Sequence, residues 1–336
     1  MATIKDIAHL AGVSDTTVSN VIHNRSNVSA ETAKRINRIM KEVNYVPNLN
    51  ARSLNSKSSP LVACIYSSKN LATNNLYLSQ LITSIEQLLF SNGLYLFIKT
   101  IDTIENITTI LDMWNIKGLI TIGNFYDSFF DSIESSNIPT VAIDAIIKKD
   151  FNNIYTVNID DENAACMATE HLISLGHRKI AHVSYGISGS RINKARFNGY
   201  NQALKKHGIT LNASHVFEVP SPAIADTNPI IEIGRKIAQS NITAVFANSD
   251  MIAWDVILGI QSASKTVPTD ISVIGFDDIF ICPRILPSLS SIHNSASSKG
   301  TTAAQVLVDI LKNKKVKHRT TIPTHLVLRN STSILK

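Results

Sequence analysis

Five short polar residues near the amino terminus have the chemistry of a nucleic-acid reader. Asp15, Thr16, Thr17, Ser19 and Asn20 fall on the outward side of a segment whose Val18, Val21 and Ile22 recur at helical spacing. Short hydroxyl and amide side chains of this kind hydrogen-bond to base edges and phosphates. Far along the chain a different chemistry stands out, the adjacent carboxylates Asp277 and Asp278 behind the apolar run ISVIGF. Two neighbouring acids without histidine or further acids make a poor cation site, so no metal is expected there. Cys64, Cys166 and Cys282 lie far apart and without metal-ligand spacing, as in a protein kept reduced.

The polar reading face needs a rigid support, and the residues around it supply one. Thr3 can cap a helix whose inward positions are Ile4, Ile7, Ala8 and Ala11. Gly12 supplies the positive φ that a tight turn between two helices requires. Val13 plugs the corner, and Ser14 stands where the second helix needs its cap. Ser29 can cap a third helix carrying Ala33, Ile36, Ile39, Met40 and Val43 on one face. The pattern is a helix-turn-helix closed by a third helix, with its second helix shaped for a major groove. Residues 1–60 hold eight Lys/Arg against four Asp/Glu, so +4 of the chain's +6 is concentrated here, as a phosphate-facing module requires. Pro47 is expected to stop the third helix, and Asn48 to cap a short helix through about Leu54 that forms only when docked.

At 336 residues the chain is too long for one ordinary domain, and 44% hydrophobic content suffices for a sizeable core. Beyond Leu61 the runs LVACIY, LYLFIK, GLITIG and PTVAID alternate with helical stretches at 78–92 and 104–114; KIAHVS, TAVFAN and ISVIGF continue the series. Nearly continuous apolar strands separated by helices imply parallel sheets covered on both faces. The length points to two such lobes, which would clamp a ligand at their strands' carboxyl ends. Nothing in this core resembles an enzyme. GISGS at 186–190 is not a nucleophile elbow, and no phosphate-binding or dinucleotide glycine loop is present, so neither catalysis nor a cofactor is expected. No run of eighteen apolar residues and no secretory leader are found, so the expectation is a cytoplasmic protein without membrane contact.

From Thr3 to about Ser331 the chain resembles the LacI/GalR family of bacterial transcriptional regulators. The resemblance rests on TIKDIAHLAGVS with TVSNVI, Tyr45-x-Pro47-Asn48, and ARSL at 51–54. It continues through IPTVAID at 138–144, ATEHLISLGHRKIAHV at 168–183, RFNGY at 196–200, TAVFANSD at 243–250, ISVIGFDD at 271–278 and LVLRNS at 326–331. It implies a helix-turn-helix head at 1–46, a hinge helix and linker at 47–60, and a two-lobed core at 61–336 similar to a periplasmic sugar-binding protein. The first lobe would comprise about 61–157 and 290–320, the second about 158–289 and 321–331. Function would be that of a repressor acting as a homodimer on a pseudo-palindromic operator, controlled by a small molecule, a sugar foremost. Alternatives are a regulator answering a protein coregulator, or a solute-binding protein on the same core. No heptad tail suggests a tetramer.

By the same resemblance, Thr3, Ser14, Asp15, Thr16, Thr17, Ser19, Asn20, Asn24, Arg25, Asn48, Ala51 and Leu54 would face DNA. Leu54 would wedge into the minor groove at the operator centre. Asn20 stands where the family usually has arginine; an amide suits adenine, a guanidinium suits guanine. The effector would meet Tyr77, Leu78, Asp144, Arg196, Asp250 and Asp277. The chain departs from the family at Ser249, at SSKNLATNNL (67–76) and at 219–229, where many members carry a stacking aromatic.

Overall fold

The computed structural model describes residues 2–22, 27–43, 45, 59–67, 75–101, 107–123, 125–187, 189–219 and 229–336. The chain divides after Ser59 into two compact units.

In the first unit, α1 (Ile4–Ala11) opens on a reciprocal cap. The Asp6 N–H donates to Thr3 Oγ1 at 3.3 Å and the Thr3 N–H to Asp6 Oδ2 at 2.8 Å. Gly12 takes φ 62°, and the Val13 N–H returns to the Ala8 carbonyl at 3.0 Å, closing the turn. Ser14 accepts the Thr17 N–H at 3.2 Å and starts α2 (Asp15–Ile22). Ser29 accepts the Thr32 N–H at 3.2 Å and starts α3 (Ala30–Glu42). Ile7, Ala8, Ala11, Val18, Val21, Ile36 and Ile39 form the buried core. α3 ends at Glu42, short of the expected stop at Pro47, because the Tyr45 N–H has already turned back to the Met40 carbonyl at 2.8 Å.

The second unit holds two six-stranded sheets. The first contains β1 (Leu61–Ser67), β2 (Tyr95–Ile101), β3 (Gly118–Ile122), β4 (Thr140–Ile143), β5 (Ile154–Asn158) and β11 (Arg319–Thr321), ordered β11-β5-β4-β3-β1-β2. The second contains β6 (Ile180–Tyr185), β7 (Val216–Val219), β8 (Ala244–Ala247), β9 (Ser272–Asp277), β10 (Ser290–His293) and β12 (His325–Val327), ordered β12-β10-β9-β8-β6-β7. Every pairing is parallel except β10 with β12. The two sheets share one doubly wound order, so the second lobe repeats the first.

Helices α4 (Asn75–Ser91), α5 (Ile107–Met113), α6 (Asp127–Glu134) and α11 (Ala296–Leu311) belong to the first lobe. Helices α7 (Asp161–Ser174), α8 (Arg191–Lys206), α9 (Pro229–Ala238) and α10 (Asp250–Ser262) belong to the second. The chain crosses between sheets three times, after β5, after β10 and after β11. Residues 290–293, expected in the first lobe, instead extend the second sheet, since β10 pairs in register with β9 from Ser290 opposite Ile274 to His293 opposite Asp277. The crossing therefore falls at Asn294 and Ser295, where Ser295 caps α11. α11 lies close on α4 because Gly300 has no side chain; a Cβ there would stand 2.1 Å from Ser84 Oγ and 2.5 Å from the Leu81 carbonyl oxygen. Among the described residues no helix is long and apolar enough to cross a membrane.

Candidate functional site

In the head, Asp15 and Thr16 are exposed at the start of α2, and Thr17, Ser19 and Asn20 are half-buried along it. Asp15 sits in the first turn, where the helix dipole favours an anion. The Thr17 hydroxyl lies 2.9 Å from Ser14 Oγ, so these two residues already serve the cap. Exposed Thr3 likewise donates its hydroxyl to Asp6 Oδ2 at 2.8 Å. The Thr3 backbone and side-chain bonds hold the Asp6 carboxyl below its usual range. Asn24, Arg25, Asn48, Ala51 and Leu54 lie outside the described residues.

In the core, five of the six expected effector residues converge where strands of the two sheets end. Asp144 follows β4 at φ 55° and Asp277 closes β9 at φ 109°, backbone conformations that aspartate tolerates better than most residues. On the first lobe the Tyr77 hydroxyl donates to Asp144 Oδ2 at 2.8 Å. Burial, then the Asp144 charge, push the Tyr77 phenol well above its ordinary range, so it stays a donor. Leu78 is buried in the apolar core with Leu81 and Ile85.

On the second lobe, Arg196 donates from Nε to Asp161 Oδ1 at 2.8 Å and from Nη1 to the Asn248 carbonyl at 2.7 Å. Its Nη2 stands 3.7 Å from Asp277 Oδ1, and the guanidinium lies 3.6 Å over the Phe276 ring. Burial raises the Asp161 and Asp277 carboxyls, while the Arg196 charge pulls both back. Asp250 plays a different part. Its Oδ1 accepts the Ser291 hydroxyl at 2.6 Å and its Oδ2 the Ile279 N–H at 2.9 Å, tying the segment that follows β9 to β10. A Cβ on Gly275 would stand 2.2 Å from Asp250 Oδ1, so glycine is what admits the carboxylate. Burial, then Asp277, push the Asp250 carboxyl up to about 8.

Several residues of this constellation carried no sequence signal. Lys299 on α11 is completely shielded; its ammonium donates to the Tyr77 hydroxyl at 3.0 Å and pairs with Asp144. Asp161 reads as an ordinary acid in a helix's first turn, yet it anchors Arg196. Asn248 and Asn294 are buried amides at the carboxyl ends of β8 and β10. A relay fixes their orientation. The Asn193 amide donates to the Tyr185 carbonyl, so Asn193 Oδ1 must accept from Asn248 Nδ2 at 2.9 Å. Asn294 Nδ2 donates to Asp277 Oδ1 at 3.0 Å. Both amide oxygens are thereby left as acceptors, buried and without a hydrogen-bond partner among the described residues. One further contact joins the lobes nearer the solvent. Arg191, at the start of α8, forks onto Asp127 at 2.7 and 2.9 Å and donates to the Ile146 carbonyl at 2.6 Å.

The comparisons agree with this geometry. Residues 3–48 match the bacterial regulatory proteins of the lacI family, and residues 169–332 match the periplasmic binding protein-like domain. The chain is 31% identical to the probable HTH-type transcriptional repressor ExuR of Bacillus subtilis (strain 168), over 94% of each chain. It is 30% identical to the ribose operon repressor of Lactococcus lactis subsp. lactis (strain IL1403), over 98% of each. A solved structure of the lac repressor dimer bound to operator and the anti-inducer ONPF superposes with a TM-score of 0.87 at 26% identity, covering 99% of each chain. These relatives are named as repressors, not enzymes. The chain belongs to the lacI family of bacterial regulatory proteins, and it is a DNA-binding transcriptional regulator with a ligand-binding core.

Proposed function

We propose that this protein is a cytoplasmic repressor which binds a pseudo-palindromic operator as a homodimer and answers to a polyhydroxylated effector, a sugar foremost. The observation that carries the effector reading is the pair of pinned acceptors, Asn248 Oδ1 and Asn294 Oδ1, beside Arg196, Asp161 and Asp277. Hydroxyl groups donate to such oxygens and accept from the guanidinium, which an apolar guest does not. Tyr77 and Asp144 would meet the guest from the first lobe, while Asp250 would act through the segments it ties. On the head, Asp15, Thr16 and Asn20 would read base edges, with Ser14 and Thr17 holding their helix. The lac repressor dimer and the ribose operon repressor support the operator and sugar readings.

The dimer reading has support in the surface. Tyr95 and Ile98 are exposed on the edge strand β2, with exposed Phe90 packed edge-to-face on Tyr95 and exposed Trp114 stacked on Phe97. An apolar edge of this kind is a template for a second copy.

Selection of genomic fragments by the purified protein, with and without a panel of sugars, tests the reading. A single pseudo-palindromic motif whose recovery changes at least ten-fold with one sugar is the expected result, a coupling of about 1.4 kcal/mol. Recovery of no motif under any condition would overturn it.

A further inference from the structure

We propose that the cleft of this protein closes without an effector, with Lys299 standing in for one on the first lobe and Arg191 clasping the two lobes together. Lys299 is placed where a guest would be bound. Its ammonium occupies the Tyr77 hydroxyl and the Asp144 carboxylate, two polar groups of the first lobe. An ammonium presents the same N–H donors to these oxygens that a bound hydroxyl would present as O–H. It is held there by fold, since Gly300 lets α11 settle onto the backbone of α4 and so brings Lys299 to Tyr77, 222 residues away in sequence.

Charge across the cleft favours closure. Lys299 acts on Asp161 and Asp277 of the second lobe, and Arg196 of the second lobe feels Asp144 of the first. Each wall therefore presents a cation to the other wall's carboxylates, in a space shielded from water where such attraction is strongest. Arg191 adds a geometric lock. Its two parallel N–H···O bonds to Asp127 and a third to the Ile146 carbonyl span from α8 to α6 and the segment after β4. About a third of each partner's side chain remains exposed, so this clasp can open without unfolding either lobe. An effector must then displace Lys299 from Asp144 before it binds the first lobe. Closure itself is independent of the function proposed above; only the description of Lys299 as a stand-in rests on that reading.

Single-molecule fluorescence transfer on the full chain tests the device. Labels go on exposed Ser135→Cys in the first lobe and Lys205→Cys in the second, the native thiols being buried. Doubly labelled chain is diluted into unlabelled protein so that each assembly carries one pair. Ligand-free protein with native cleft residues should show mainly the short-distance state. Lys299→Met and Arg191→Gln should each raise the open-to-closed ratio at least ten-fold. Asp127→Asn combined with Arg191→Gln should do little more than Arg191→Gln alone, because both remove one contact. Thermal melts identify any variant that is merely unfolded; Arg191→Gln, at a partly exposed site, keeps the test available if Lys299→Met melts. A ligand-free protein that is mainly open, or folded variants that stay as closed as the parent, would overturn the proposal. Variants that open while operator affinity is unmoved would leave the closing device standing and overturn the coupling of the cleft to DNA.

Discussion

At position 20 the second helix of the head carries an amide where the family resemblance would put a guanidinium. Asparagine pairs with the N6 and N7 of adenine, arginine with the O6 and N7 of guanine. Selection from a randomised half-site library should therefore return A·T at one position for the parent and G·C for Asn20→Arg, a preference worth about 1–3 kcal/mol. An identical logo from both proteins would remove Asn20 from base reading. A second residue invites substitution for the opposite reason. His182 is completely buried on β6 among Phe197, Tyr200 and Phe246, and neither ring nitrogen has a hydrogen-bond partner among the described residues. Burial alone lowers its pKa from 6.5 to about 3. The unfolded chain thus takes up a proton below pH 6.5 that the folded protein refuses until about pH 3. Stability contributed by neutral His182 is present above pH 6.5 and is lost as pH falls through that window. His182→Leu should stabilise the core at pH 7, and by about 2 kcal/mol more at pH 5, in urea unfolding. A gain that does not grow on acidification would contradict the assignment.

Helix contacts in this protein are set by small residues at defined places. Gly300→Ala would drive a methyl into Ser84 Oγ and the Leu81 carbonyl, and the carbonyl cannot move aside. Such overpacking should cost the core about 1–3 kcal/mol in urea unfolding and shift Lys299 from Tyr77. A neutral substitution would show that α4 and α11 are not in close contact. Gly12 makes the converse case: its φ is 62°, but a Cβ there meets nothing within 4 Å. Gly12→Ala should weaken the head by only about 1 kcal/mol, the conformational cost alone, and leave the core transition where it was. The apolar strands β1, β3, β4, β6, β8 and β9 were legible as runs because parallel strands covered on both faces need apolar residues at every position. The strands β10, β11 and β12, with sequences SSIH, RTT and HLV, were not. They are short, they lie toward one edge of each sheet, and pairing with strands distant in sequence defines them.

For the molecule as a whole, the exposed edge around β2 bears on assembly. Ile98→Glu would place a charge on the exposed edge strand that also carries Tyr95, and in sedimentation velocity it should move the protein toward monomer and weaken operator binding with it. An unchanged sedimentation coefficient would place the dimer contact elsewhere.

Local chemistry settled the head, because its cap, turn and apolar stripe are all made by residues within about four positions of one another, and Thr3, Gly12 and Ser14 are found in those roles. The same holds for the alternation of apolar strands and helices that defines a two-lobed α/β core. Arg196, Asp144 and Asp277 were legible through the motifs around them. Lys299 was not, since SASSKGTTAAQ reads as a helix with a solvent-facing lysine. It is buried only because α4 lies against Gly300 and the second lobe's acids face it across the cleft. Asp161 and Asn294 were hidden likewise, and Asn248, though inside the TAVFANSD motif, gave no sign of its role, for their partners come from other strands and helices. Which polar groups of the cleft meet, which remain unpartnered, and which lobe β10 joins depend on contacts between segments far apart in the chain, and no local propensity encodes them.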